Sequence, residues 1–230
     1  MKTVAFIPIK MNSERLPLKN IKKFRNGKPL ISYILDTIVQ VKNIDEIYVY
    51  CSSDEICEYL PAEVKFLKRD SYFDLSSTSF NEVMESFCRI IRADVYVLAH
   101  ATAPFISAKT IEKGVRLVQS GEYDSALTVS ELKEFLWMEG KPLNYSLDSI
   151  PRTQDLPSIY TETCGLYIFE KGVMLDMHRR IGNSPYLISV SKIEACDVNT
   201  EEDFVMADAI SQVVGNYQEE SGKNEIYSNT

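Results

Sequence analysis

Phe6-Ile7-Pro8-Ile9-Lys10-Met11-Asn12-Ser13-Glu14-Arg15-Leu16-Pro17-Leu18-Lys19-Asn20 starts inside an apolar run, Val4 to Ile9, and passes into a polar loop carrying Lys10, Arg15 and Lys19. Gly27-Lys28-Pro29-Leu30 follows, and then apolar residues at helical spacing: Leu30, Ile31, Ile34, Leu35, Ile38 and Val39. A strand that opens into a cationic loop at the edge of an α/β sheet is where nucleotide phosphates bind. Three cations within ten residues match a triphosphate of roughly −4 charge, held by charge-assisted contacts. No G-x-x-x-x-G-K-[ST] and no G-x-G-x-x-G occurs, so side chains rather than a glycine-rich backbone cradle would do the holding. From charge alone, a solvated basic loop is the equal alternative.

The strand and helix patterns go on alternating. Ile47 to Cys51, Val64 to Leu67 and Val95 to Leu98 read as buried strands. Ser53-Asp54 caps a short helix through Leu60, Phe80 to Ile91 carries Val83, Phe87, Ile90 and Ile91 at helical spacing, and Ser107 caps a helix with Ile111, Val115 and Val118. A strand follows at Ser125 to Val129. Such alternation predicts an α/β fold with a doubly wound, mostly parallel sheet. Residues 131–163 break the rhythm, with more Pro, Tyr and polar groups and no period, and predict a small inserted lobe or functional loop. Order returns with strands at Gly165 to Phe169 and Tyr186 to Val190 and a helix from Thr200 to about Val214. The polar stretch 218–230 predicts a flexible tail.

A chain of 230 residues with 45% hydrophobic content suits one large domain with an insertion. With 25 basic and 33 acidic residues the net charge is −8, which excludes a general nucleic-acid footprint, and no polybasic run suggests a membrane surface. Cations gathered near residues 10–28 of an acidic protein instead suggest a local anion site. Cys51, Cys57, Cys88, Cys164 and Cys196 form no C-x-x-C pair and no zinc spacing, as in a reduced, cytoplasmic protein, and none has a His partner at motif spacing. The first apolar run is too short for a signal-peptide core, and no run reaches a membrane span.

The order S-x-R-L-P-x-K-N, Ser13 to Asn20, resembles the N-terminal signature of the cytidylyltransferases that activate acidic sugars. These are the CMP-sialic acid (acylneuraminate) synthetases and their 3-deoxy-manno-octulosonate relatives. Lys10 stands where the family has Arg, which keeps the charge and loses the bidentate fork. The resemblance extends to about Ala209. Asp197-Val198-Asn199-Thr200-Glu201-Glu202-Asp203 resembles the family's D-x-D-T-x-x-D, whose two aspartates bind magnesium; here the second is Asn199. In an extended segment residues 197 and 199 face one side, and Mg²⁺ takes one or two protein oxygens plus waters and phosphates. Without a metal, the same segment is a helix start, Thr200 capping with Asp203 at N3.

Leu98-Ala99-His100-Ala101-Thr102-Ala103-Pro104 resembles the family's L-L-Q-P-T-S-P at the nucleotide, with His100 in the Gln place. A polar contact to nucleotide or sugar is expected of His100, with an inert packing role and a general base as the alternatives. Ser52-Ser53-Asp54 resembles the family's S-T-D, Arg69 an Arg after strand three, and Ser76 to Ser79 a hydroxyl-rich stretch near cytosine; helix capping is the competing role. Pro151-Arg152-Thr153-Gln154-Asp155-Leu156-Pro157 resembles R-R-Q-D-L-P beside the sugar pocket, whereas Tyr160-Thr161-Glu162-Thr163-Cys164-Gly165 departs from Y-R-P-N-G-A. With Thr153 and Thr161 in place of cations, the acceptor pocket is expected to be less cationic than a sialate site, or to recognise an amine or extra hydroxyls. Trp137 reads as ordinary packing and His178 as a surface helix end.

The resemblance therefore implies a nucleotidyltransferase domain over 1–217, with 131–163 as a dimerisation and acceptor lobe. It implies Lys10, Arg15 and Lys19 as catalytic cations, and Asn12, Ser13, Asn20, Arg69, Thr78, Ser79, His100 and Thr102 as nucleotide contacts. His100, Arg152, Gln154 and Tyr160 would meet the acceptor, and Asp197 and Asn199 would hold Mg²⁺. The partners would be CTP, an acidic sugar and a second copy of the chain, with neither nucleic acid nor membrane. A different acceptor, a nucleotide-sugar glycosyltransferase and a non-catalytic nucleotide-binding regulator are the alternatives.

Overall fold

The apolar run at the N-terminus forms β1, Thr3–Ile9, buried along its whole length apart from part of Pro8. A strand with no exposed face has no alternation to show, which is why it reads as continuous hydrophobic sequence. In the computed structural model residues 1–227 are described, with side chains through Val214. The end of the expected tail, residues 228–230, lies outside the described residues, and so do the tail's other side chains.

Helix α1, Leu30–Ile38, buries Leu30, Ile31, Ile34, Leu35 and Ile38, the residues that set its period. It leads into β2, Glu46–Cys51, a 3₁₀ turn at Asp54–Tyr59 capped by Ser53, and β3, Val64–Lys68. Next come α2, Phe80–Ile90, then β4, Val95–Ala99, α3, Ala108–Gln119, and β5, Ser125–Leu132. A short hairpin, β6 at Trp137–Met138 and β7 at Lys141–Pro142, precedes β8, Ile159–Glu170. The chain finishes with α4, Lys171–Leu175, β9, Pro185–Ser189, and α5, Glu201–Tyr227.

The main sheet has seven strands in the order β3-β2-β1-β4-β8-β5-β9. All neighbours pair in parallel except β8, which runs antiparallel to both β4 and β5. The sheet is thus mostly parallel and covered on both faces. Ala5, Ile7 and Ile9 point into one core with α1 and α3, while Val4 and Phe6 point into the other with α2 and α4. Phe6 stacks on Phe87 at 4.3 Å between ring centroids.

Where 131–163 was expected to be irregular throughout, strand pairing extends into both its ends. Glu131 pairs with Tyr160 and Leu132 with Ile159, after a register irregularity between Leu127 and Val129. The irregular part is the stretch between those strands. Trp137 is not packed away: it stands 56% exposed on the hairpin, its nearest aromatic neighbour Tyr145 being 6.3 Å off. A third apolar cluster, Leu16, Phe24, Leu30, Val198, Phe204 and Ala207, ties the loop after β1 to the start of α5.

Candidate active site at the carboxyl ends of the central strands

The loop after β1, the loop after β4 and the segment before α5 meet at the carboxyl ends of the sheet's central strands, around a cleft of about 710 Å³. Lys10, Ser13, Arg15, Lys19 and Asn20 line it from the first loop, His100 and Thr102 from the second, and Asp197 and Asn199 from the third. Parallel strands that leave the sheet on either side of such a point open a crevice between their loops. The third apolar cluster makes this one permanent, since Leu16 and Val198 are both buried in it.

Backbone bonds set the loops. Val198 N donates to Thr102 O at 2.8 Å, and Asn20 Nδ2 to Lys10 O at 3.1 Å, so buried Asn20 pins its own loop rather than reaching for a ligand. His100 N donates to Gly165 O at 3.0 Å. A Cβ on Gly165 would lie 2.6 Å from Ala103 Cβ, so only glycine lets β8 run this close to the loop that presents His100.

The cations are fixed but not neutralised. Arg15 donates to Asn199 Oδ1 at 2.9 Å, and Lys19 Nζ to Val198 O at 3.0 Å. Lys22, Arg25 and Lys28, further along, are paired with Glu201, Asp208 and Asp36. Among the described residues Lys10, Arg15 and Lys19 form no ion pair. Burial pulls the Lys19 pKa below the ordinary lysine value and Arg15 adds to that, against the pull of Asp197 and Asp203. Same-sign charges held together in a partly dry cleft are stabilised by an anion from outside.

Asp197 supplies the opposite charge. Its Oδ2 accepts from Asn199 Nδ2 at 2.5 Å, while its Oδ1 is buried and has no partner among the described residues. A buried carboxylate oxygen without a donor is costly unless a ligand completes it. The amide of Asn199 is spoken for at both ends, by Asp197 and by Arg15. Beside it, Thr200 caps α5: Asp203 N donates to Thr200 Oγ1 at 3.2 Å, and Asp203 Oδ2 accepts from Asn199 N and Thr200 N. Burial alone would raise the Asp203 pKa, but those hydrogen bonds and Lys19 hold it below the usual carboxylate range.

His100 also lines the cleft, its ring 5.3 Å from Phe80 and 6.5 Å from Tyr167. Its Nε2 is sealed and unpartnered among the described residues. Burial, then Arg180 and Lys19, push its pKa down to about 4, so it is neutral at physiological pH. A weakened base of this kind is better suited to a polar contact than to proton abstraction.

Other expected contacts fall elsewhere. Arg69 is buried beneath the cleft, where it donates to Ile9 O at 2.9 Å and pairs with Asp74, which also accepts from Ser52. It braces the end of β1 and does not open to the cleft. Thr78 donates to Tyr72 O at 2.9 Å, and Ser79 forms a capping box with Glu82 at the start of α2. Asn12 is exposed outside the lining. Arg152, Gln154 and Tyr160 are exposed and absent from the lining too, with Arg152 paired to Asp155. Sequence reasoning passed over Glu14, Phe80 and Cys164 as lining residues. Cys164 carries no motif signal; its left-handed φ of 57° at the strand irregularity is visible only in three dimensions.

A family model described as cytidylyltransferase matches residues 4–178. The N-acylneuraminate cytidylyltransferase of Streptococcus agalactiae serotype V is 24% identical over 217 residues, 89% of this chain and 52% of that protein. That of Oncorhynchus mykiss is 27% identical over 183 residues, 74% of this chain and 41% of that protein. The chain thus spans about half the length of these relatives. The pseudaminic acid cytidylyltransferase of Campylobacter jejuni serotype O:2 is 24% identical over 228 residues, 93% of this chain and 97% of that one. A similar fold is found in a solved CMP:2-keto-3-deoxy-manno-octonic acid synthetase complexed with CTP, with TM-score 0.69, 14% identity and coverage of 92% of this chain and 99% of that one. Because the family match runs unbroken from β1 through the turn after α4, over most of the strands that build the cleft, the chain belongs to the cytidylyltransferase family.

Proposed function

We propose that the protein transfers CMP from CTP to a 2-keto-3-deoxy acidic sugar and releases pyrophosphate. The observation that carries this reading is the set of unneutralised cations, Lys10, Arg15 and Lys19, facing the partnerless Asp197 Oδ1 across one cleft. Cations without counter-ions suit a triphosphate, and a lone carboxylate oxygen suits a divalent cation riding on it. The acceptor's anomeric hydroxyl attacks the α-phosphorus in line and yields its proton to water, the bond from that phosphorus to the bridging oxygen breaks, and pyrophosphate leaves with that oxygen. Arg15 and Lys19 neutralise the charge that gathers on the departing oxygens, and because Asn199 and Val198 already orient them, little reorganisation is needed.

Mg²⁺ fits the donor set: among the described residues no cluster of three or more acidic, His or Cys ligands exists, and this ion needs only one or two protein oxygens beside phosphates and water. Asp197 would hold it, with Asn199 as second donor once its oxygen is released from Arg15. When bound it would supply positive charge against the phosphate oxygens.

The protein also works as a homodimer in this reading. Arg152, Gln154 and Tyr160 lie outside their own cleft, on or beside a lobe that exposes Phe135, Trp137, Met138, Leu143, Leu147 and Ile150. An apolar surface of this kind is a docking face, and a partner's cleft is what the lobe's polar residues would complete. No helix among the described residues is long and apolar enough to cross a membrane.

The test is pyrophosphate release from CTP with Mg²⁺ and a panel of 2-keto-3-deoxy acids. Acceptor-dependent release that CTP supports and ATP, GTP and UTP do not is the expected result. Consumption of a CMP- or UDP-sugar instead would establish a glycosyltransferase, and inertness with every acid a nucleotide-binding regulator.

A further inference from the structure

The sequence places threonines, 153 and 161, where the family resemblance leads one to expect cations near the acceptor. The fold supplies one from elsewhere. Arg180 follows α4 in a turn that His178 closes in the left-handed region, at φ 56°. His178 N donates to Met174 O, and Arg179 N to Val173 O. The turn is clamped to α2, with Asn81 Nδ2 donating to His178 O at 2.9 Å and His178 Nδ1 3.2 Å from Glu85. A short exposed turn held in this way delivers the next side chain to a defined place.

That place is next to Phe80, a residue of the cleft wall, although neither Arg180 nor Tyr167 lines the cleft itself. The Arg180 guanidinium lies 3.9 Å over the Tyr167 ring and 6.0 Å from the Phe80 centroid, and Phe80 lines the cleft 5.3 Å from His100. Glu162 Oε2 accepts from Tyr167 Oη at 2.6 Å and lies 3.6 Å from Arg180, too far for a hydrogen bond. Glu162 therefore steadies Arg180 by charge and leaves its N–H edges unspent. The Tyr167 ring face holds the guanidinium by cation–π attraction and takes none of its hydrogen bonds. The result is an oriented, half-buried fork beside a neutral histidine whose Nε2 lacks a partner.

We infer that Arg180, presented by Tyr167 and Glu162, binds the carboxylate of the acceptor sugar and so takes the place of the cations missing at Thr153 and Thr161. The inference rests on the proposed transfer to a 2-keto-3-deoxy acid. In such an acid the carboxylate is bonded to the anomeric carbon, so the group that grips it also aims the attacking hydroxyl. His100, between the phosphate-side Lys19 and the acceptor-side Arg180, is placed to donate to or accept from the same sugar. Glu162 and Tyr167 are positioning residues, and the Glu162 carboxylate offsets the charge of Arg180.

The experiment is steady-state kinetics of wild type, Arg180→Gln and Arg180→Lys, using the acid that wild type turns over best and varying acid and CTP separately. In Arg180→Gln the KM for the acid should rise at least about 10-fold, as expected for loss of a charge-assisted pair. Its KM for CTP and the thermal shift given by CTP with Mg²⁺ should stay at the wild-type level. Arg180→Lys should restore part of the acid affinity, a point charge replacing the fork. An unchanged acid KM in Arg180→Gln, or equal rises for acid and CTP, would overturn the inference while leaving CMP transfer standing. Absence of pyrophosphate release by wild type with every acid would overturn the transfer reading, and the inference with it.

Discussion

Neutral His100 offers a test of the site that needs no substrate. Its Nε2 is buried and has no partner among the described residues, and burial with Arg180 and Lys19 nearby lowers its pKa from 6.5 to about 4. The folded protein therefore refuses a proton that the unfolded chain accepts around pH 6.5. The contribution to stability is intact above that pH and is lost as pH falls toward 4. Integrated between pH 7 and pH 5, such a shift amounts to about 2 kcal/mol, a sizeable part of the ~5–15 kcal/mol that holds a domain folded. Carboxylates such as Glu46 and Asp203, whose pKa values are also lowered, titrate mainly below that window and equally in a His100 variant. Urea unfolding of wild type and His100→Gln at both pH values isolates the effect. Wild type should lose about 2 kcal/mol more than the variant between pH 7 and pH 5. Equal losses would mean that His100 charges freely in the folded state, and the sealed, dry environment assigned to it would be wrong.

Lys19→Ala should lower kcat/KM about 100-fold, near 3 kcal/mol of transition-state stabilisation. Lys19 is half-buried on Val198 O rather than a freely exposed charge, so urea unfolding should register a modest loss as well. Since its pKa is lowered, kcat/KM should decline on the alkaline side before ordinary lysines titrate; Lys19→Arg should remove that limb, and a profile unchanged by it would free Lys19 from the role. Asn199→Asp sets a second carboxylate beside Asp197 and should lower the Mg²⁺ needed for half-maximal rate while destabilising the metal-free protein; an identical Mg²⁺ dependence in wild type would restrict residue 199 to orienting Arg15. Phe204→Ala removes a ring packed 4.8 Å from Phe24 and should cost about 3–5 kcal/mol, with loss of the Asp197 site, because that cluster joins the two loops; full activity at normal stability would show the cleft assembled without it. Sedimentation at assay concentration should give a dimer, and an active monomer would rule out the lobe's proposed role in trans.

Strands that are buried on both faces announce themselves as unbroken apolar runs, and helices as a period, so the alternation from Val4 to Val129 was legible residue by residue. The Thr200 cap could be picked out as well, because short-range chemistry at a helix end depends on neighbours in the chain, whereas the loop cations and Asp197 were singled out by the family resemblance. What depends on distant neighbours could not. The sequence leaves Arg69 as an equal choice between surface and ligand, and only the approach of β1 and Asp74 makes it a buried brace. The hydroxyls of Thr78 and Ser79 look the same whether they meet a base or a backbone, and packing sends them to Tyr72 O and the α2 cap. Arg180, in a polar stretch that reads as a surface helix end, becomes a cleft-side fork because β8 runs antiparallel between β4 and β5 and lays Tyr167 beneath it. Local free energies of a few kcal/mol are written in adjacent residues, whereas the orientation of a long side chain is decided by whichever surface the rest of the chain brings against it.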